Sequence, residues 1–259
     1  MGGKPMRPFV MRGHNFLNGA LTCARYAFAP NFFHYCGPDT RGEFGEYVAA
    51  ETADGGLTEH LQQFETMYPY LNIIAHANAI ADPLDTRVVE AYWVGNRLLE
   101  RVDETHMHMG LVQELGLPKR IGARDMQGIL PKIGRGARLH HSFHVFNVFI
   151  RTGHHTVEHT VETMDECRIG WGKIASRLPM TDHRLQIQSQ KLVYKNGQLK
   201  LVSAVLDVEV PGDLMTKRLN HGDWVSVHWG FVCDVLSPTQ VKRLERYTKY
   251  HLTLANETL

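Results

Sequence analysis

Apolar residues recur at helical spacing through the first half of the chain and alternate through much of the second. Residues 14–29 place Phe16, Leu17, Ala20, Leu21, Ala24 and Phe28 on one side, which predicts a helix ended by Pro30. Asn31 to Asp39 reads as a turn-rich segment, and Gly55 with Gly56 marks a further loop. From Leu57 to about Ala79, the residues Leu61, Phe64, Met67, Leu71, Ile74 and Ala75 keep a helical period, interrupted by Pro69, which kinks or splits the helix. Asp82-Pro-Leu-Asp85 reads as a helix start in which either aspartate caps free N–H groups, and the helix is expected to run from Pro83 to Val102. Shorter helices are expected at 105–115 and 123–130, so the first half reads as all-α.

The pattern changes near Gly134. His141 to Ile150 is β-branched and aromatic, with Phe143, Val145, Asn147 and Phe149 in alternation, and reads as a strand. Cys167 to Ser176 reads as another. Leu185–Tyr194 and Leu199–Val205 flank Lys195-Asn-Gly-Gln198, a strong hairpin signal. Asp207–Val210 reads as a short strand and Trp224–Val232 as a longer one. Ser237-Pro-Thr-Gln240 is a capping box with proline at the first helical position, opening a terminal helix whose apolar side carries Val241, Leu244, Tyr247 and Leu254. Several short strands separated by turns predict a small barrel.

Composition narrows the classes. The chain has 259 residues, 43% hydrophobic and 21% charged, with 28 Lys plus Arg against 27 Asp plus Glu. That is a globular composition with room for a substantial core. No basic stripe points to nucleic acid, and no apolar run approaches the roughly 20 residues of a membrane helix. Met1 to Arg12 shows no secretory leader pattern, so a cytoplasmic location with reduced thiols is expected. The four cysteines, Cys23, Cys36, Cys167 and Cys233, form no C-x-x-C pair, which argues against a zinc finger. There is no glycine-rich phosphate loop beyond Gly134-Arg-Gly136 and no G-x-S-x-G nucleophile turn.

The 16 histidines are the compositional anomaly. His154, His155 and His159 read as a solvated loop. His140, His141 and His144 are the more interesting cluster. On a strand His140 and His144 would share a face, with His141 opposite. One of them, with Glu90 or Tyr92, could build a metal or haem site; the bland reading is a hydrogen-bond network between the two halves. His140 and His144 are therefore candidate catalytic residues, and Tyr92 and His141 candidate cofactor-binding residues. Cys36, in the turn Tyr35-Cys-Gly-Pro-Asp39, is a candidate nucleophile if His34 or a helix N-terminus activates it. Cys233 suggests packing, Asp82 and Asp85 caps, and Tyr92, Trp93, Phe143 and Phe146 core.

Two segments carry the sharpest signal: Cys167-Arg-Ile-Gly-Trp-Gly-Lys-Ile174, and Gly222-Asp-Trp-Val-Ser-Val-His-Trp-Gly-Phe231 running into the terminal helix. In the second, Val225 and Val227 face one side and His228 the other. With the Asn-Gly hairpin between them, these segments resemble the HypC/HupF-type maturation chaperones of [NiFe] hydrogenases over Cys167 to about Tyr250. The resemblance implies a small OB-like barrel with a C-terminal helix. It implies Cys167 as the thiolate that carries iron with its cyanide and carbon monoxide ligands, and His228 as its partner. In those chaperones the cysteine stands at a processed N-terminus and a proline follows four residues later. Here Cys167 is internal and Trp171 occupies the proline position, so release of the cargo is expected to differ. The whole chain is also similar to an uncharacterised bacterial family associated with hydrogenase gene clusters. That similarity rests on Ala24-Arg-Tyr-Ala27, Tyr35-Cys-Gly-Pro-Asp39, Ile80-Ala-Asp-Pro-Leu-Asp85, Val88-Val-Glu-Ala-Tyr-Trp93 and His140-His-Ser-Phe-His-Val145.

The expected fold is α+β: an α-helical domain over 1–137, a linking strand and loop segment over 138–166, and a HypC-like β-barrel with terminal helix over 167–259. The expected function is accessory work in hydrogenase maturation, with metal at Cys167 and His228 and with other maturation proteins or the hydrogenase large subunit as partners. Two alternatives stand beside it: an enzyme that makes or delivers the carbon monoxide ligand at a metal or haem site, and a metal-free bridging module.

Overall fold

The computed structural model describes residues 12–40, 42–150, 152–153, 155, 158–177 and 183–259. The leader reading at residues 1–11 and the position of His154 lie outside these residues, as do the side chains of Phe16 and Leu17. The architecture is mixed α+β, with helices first, then a five-stranded sheet, then a long terminal helix.

Helix α1 (Arg12–Phe32) packs against α2 (Glu43–Ala50), α3 (Gly55–Gln62) and α5 (Thr86–Trp93), and α4 (Met67–Ala77) packs on α5. Pro30 does not end α1, which continues through it to Phe32. Gly55 and Gly56 open α3 rather than a loop, because the Asp54 side chain accepts from the Leu57 N–H and caps the first turn. The helix expected from Leu57 onward is two helices, broken at residues 63–66. Asp85 caps α5 by accepting from the Arg87 N–H, and Asp82 accepts from the Leu84 N–H. The helix expected to reach Val102 stops at Trp93 because Gly95 takes φ 94°, after which Arg97–Arg101 forms a 3-10 turn.

Next come α6 (Glu104–Met109), extended by a π-turn over Gly110–Glu114, then α7 (Leu117–Arg120), α8 (Ala123–Ile129) and α9 (Pro131–Gly134). The strand expected over 141–150 is absent. Instead α10 (His141–Phe143) runs into a π-helical turn over His144–Val148, closed by Phe149 at φ 66°. Every residue from Leu139 to Val148 is buried, so the segment has no polar face to set a period, and alternation of aromatic residues misleads. The His140 side chain settles the matter locally by capping the turn through the Ser142 N–H. Helix α11 (Val161–Cys167) follows, so Cys167 ends a helix and does not open a strand.

The sheet comprises β1 (Gly170–Arg177), β2 (Arg184–Lys195), β3 (Gln198–Glu209), β4 (Trp224–His228) and β5 (Phe231–Leu236), with a short α12 (Asp213–Arg218) between β3 and β4. Asn196 and Gly197, both at positive φ, turn β2 into β3. β3 runs on through Asp207, so the separate short strand expected there is its last part. The strand expected over Trp224–Val232 divides into β4 and β5 at Trp229 (φ 50°) and Gly230 (φ 78°). β1 pairs with β2 and β4, β2 with β3, β4 with β5, and a parallel bridge from Glu209 to Phe231 closes the circuit. Ile174, Leu185, Ile187, Val208, Val225 and Val232 fill the interior.

Helix α13 (Pro238–Asn256) carries the expected capping box between Ser237 and Gln240 and buries Val241, Leu244, Tyr247 and Leu254. The largest core is continuous across both halves: helical residues such as Tyr26, Tyr92 and Trp93 share it with Ile169, Trp171, Cys233 and Leu236 of the sheet region. A 2.9 Å hydrogen bond between the Tyr26 hydroxyl and Ser226 Oγ crosses the junction. Among the described residues no helix is long and apolar enough to cross a membrane.

Candidate metal centre

At this junction a buried cavity of about 30 Å³ is walled by Cys36, Thr66, Met67, Tyr92, His141, His144, Cys167 and His228, with Ala27, Pro30, Phe64 and Trp93 completing it. A volume of that size holds an ion or one or two small molecules. Donor atoms of His141, Cys167 and His228 all lie within 4.8 Å of one another, and all three residues are buried. Two elements expected from sequence to form a metal pair, Cys167 and His228, thus arrive at one point.

His228 is the last residue of β4. Strand alternation sends Val225 and Val227 inward to the sheet interior and Ser226 and His228 toward α1. The His228 Nδ1–H donates to the Tyr26 carbonyl at 2.6 Å. That carbonyl is available because residue 30, four places on in α1, is proline and has no N–H to return. With Nδ1 protonated, Nε2 carries the ring lone pair, the tautomer arrangement that metal-binding histidines take when a carbonyl orients them.

Cys167 comes from the last turn of α11, whose terminal carbonyls have no intrahelical partner. Its own carbonyl accepts from His141 Nε2–H at 2.8 Å. His141 Nδ1 then accepts from the Tyr92 hydroxyl at 3.1 Å. His144 repeats the pattern: Nε2–H donates to the Ile150 carbonyl at 2.8 Å, and the Tyr70 hydroxyl lies 3.2 Å from Nδ1. Burial drives Tyr70 and Tyr92 well above the usual phenol range, so both remain hydroxyl donors. Burial, reinforced by His228 and His144, pushes His141 well below the ordinary imidazole value and keeps it neutral.

A helix, unlike a strand, puts positions three apart on one side. His141 and His144 therefore both reach the cavity, and His140 does not line it. This corrects the pairing of His140 with His144 and removes His140 from the candidate catalytic set. Its Nδ1 lies 2.8 Å from Ser142 Oγ, and that hydroxyl is 2.7 Å from Nδ1 of a buried partner the sequence did not flag, His251. His251 Nε2 accepts from the Arg138 N–H, and the His140 ring stacks on Tyr247. Burial depresses His140 to about 3 and His251 well below its ordinary value. This is the hydrogen-bond network between the halves.

Glu90 is likewise not at the site; it accepts from Asn96 and Gln240 side chains. Cys233 is fully buried and its thiol pushed up by desolvation, in keeping with packing. None of the four cysteines is in a disulfide. His155 and His159 are exposed, as expected of a solvated loop. Sequence reading missed Thr66 and Met67 on the cavity wall, and Tyr70 beside His144; no motif marks them, and only the packing of α4 on α5 brings them there.

Among the described residues the wall offers two thiols, a thioether, three imidazoles and the hydroxyls of Thr66 and Tyr92 but no carboxylate, which suits soft and borderline transition ions and not magnesium or calcium. Neither the curated proteins nor the solved structures contain a match to this chain. Residues 15–259 match the family DUF6390, described as a family of unknown function, and the chain belongs to that family.

Proposed function

We propose that the chain is an accessory factor in [NiFe]-hydrogenase maturation that holds the iron fragment, with its cyanide and carbon monoxide ligands, on Cys167 and His228. The observation that carries this reading is the convergence of those two residues with His141 inside 4.8 Å, in a largely buried cavity that no carboxylate of the described residues lines. A HypC-like barrel is the fold this reading assigns to residues 167–259, and the circular strand pairing with a terminal helix is compatible with it. The thiolate supplies charge and a soft donor, and His228 supplies an oriented nitrogen. At about 30 Å³ the cavity takes an ion with one or two diatomic ligands as it stands and must widen for more, whereas a haem macrocycle is many times larger.

The test is anaerobic purification from a cell assembling a [NiFe] hydrogenase. The carrier brings roughly one iron per chain and infrared bands of bound cyanide and carbon monoxide, both lost in Cys167→Ala. A preparation without iron or bands, still binding a maturation protein or the hydrogenase large subunit, supports the bridging module instead. Catalytic release of carbon monoxide supports the enzyme; the diatomic-sized cavity is the one observation in its favour.

A further inference from the structure

Among the described residues that line the cavity, Cys36 alone also reaches solvent; the other eleven are buried. It stands in the turn after α1, where the Asn31 side chain donates to the Cys36 and Pro38 carbonyls and Cys36 N–H returns to the Pro30 carbonyl. Gly37 follows at φ 85°, packed so closely on Phe64 that a Cβ there would lie 2.4 Å from the ring. The turn is thus pinned to the cavity wall on both sides of the thiol.

The site has a charge problem. Among the described residues no Asp, Glu, Lys or Arg lines the cavity. A divalent ion that brings no anionic ligand of its own leaves, on Cys167 alone, a net positive charge in a buried, low-dielectric space, which is costly unless compensated; bound cyanides would supply that compensation themselves. The imidazoles cannot compensate, being neutral ligands. His141 and His144 each have both ring nitrogens in hydrogen bonds, so recruiting either one sheds a bond. A second thiolate removes the charge, and the only other cysteine on the wall is Cys36.

We propose that Cys36 is a second thiolate ligand of the ion bound by Cys167 and His228, and the group through which that ion exchanges with solvent. Cys36 lines the same cavity but stands outside the 4.8 Å group, so its sulfur has to swing toward the ion on binding. Binding replaces a thiol S–H by an S–metal bond at each sulfur, and both protons leave to solvent. The proposal rests on the cavity binding metal, but not on iron or on hydrogenase maturation.

Cobalt(II) added anaerobically to the full chain is the probe. Thiolate-to-cobalt charge transfer in the near ultraviolet is expected at an intensity for two thiolates, falling to about half in Cys36→Ser with cobalt still bound. In the wild-type chain, alkylation of Cys36 by iodoacetamide, mapped by peptide mass, is expected to slow about tenfold or more on cobalt loading and to recover with a chelator. An unchanged band in Cys36→Ser, or alkylation at one rate with and without cobalt, overturns the proposal. The alkylation arm needs no variant, so a folding defect in Cys36→Ser does not decide the outcome. Cobalt binding by two thiolates in a chain that yields no iron in vivo would remove the hydrogenase reading and leave this one standing. No cobalt binding removes both.

Discussion

Nδ1 of His228 donates to the carbonyl of Tyr26, 202 positions away in sequence, at 2.6 Å. Pro30 makes the bond possible by withholding the helical N–H that would otherwise occupy that oxygen. A helix-breaking residue inside α1 is therefore part of the candidate site.

Pro30→Ala returns an N–H to the helix, and that group competes with His228 for the Tyr26 carbonyl. The expected result has two opposite signs: α1 becomes more stable, by about 1–3 kcal/mol, while affinity for cobalt or zinc falls about tenfold or more. Thermal unfolding and metal titration on the same sample check it. Unchanged affinity would mean that the tautomer of His228 does not depend on this bond.

Arg168, next to Cys167, has a side chain only 2% exposed and pairs with Asp165 at 2.8 Å. Asp165 also accepts from the Leu192 N–H. Asp165→Ala strands a buried guanidinium and a strand N–H together, with an expected loss of about 3–5 kcal/mol. Urea denaturation reads this as a lower midpoint; a loss within experimental error would show that water reaches Arg168.

Acid should unfold the protein early. His140, His141 and His251 are held neutral by burial, with folded values below the ordinary 6.5 and His140 at about 3. Because the unfolded chain binds protons that the folded chain refuses, stability is fully present above about pH 6.5 and falls as the pH drops toward 3. The slope approaches roughly 1.4 kcal/mol per pH unit for each such ring. Melting temperatures from pH 7.5 to 4.5 measure it, and a flat profile across that range would contradict the buried neutral state.

Gly153 sits against the backbone of the Cys36 turn, where a Cβ would come within 2.2 Å of the His34 carbonyl oxygen and of Tyr35 C. Backbone atoms cannot step aside as a flexible side chain does, so Gly153→Ala must displace the turn, at a cost of about 1–3 kcal/mol. Faster alkylation of Cys36 is the expected readout.

Cys167 is expected from the resemblance and as the opening of a strand, whereas it ends α11; the direction of His228 is legible locally, because the alternation Val225-Ser-Val-His228 separates interior from junction without any tertiary information. The hairpin at Asn196-Gly197 and the cap at Ser237 were legible for the same reason, since each acts through its own backbone. The stretch from His140 to Ile150 was not. From His140 to Val148 both sides of the chain are buried, so periodicity carries no information there, and the aromatic alternation suggests a strand where a helix forms. The error mattered, because strand and helix differ in which histidines face together. The contribution of Pro30 was hidden differently: a proline announces a missing bond, but not which distant donor takes its place.

The shared core has a consequence for how the site could have arisen and for how it must work. Ile169, Trp171, Cys233 and Leu236 are covered by helical residues, so the sheet region is inlaid in the helical part and not tethered to it. A free-standing carrier can travel to its recipient and offer its cargo from an open face. Under the carrier reading proposed above, an inlaid one has to be visited, and whatever collects from it comes to the edge where, among the described residues, the wall meets water, beside Cys36.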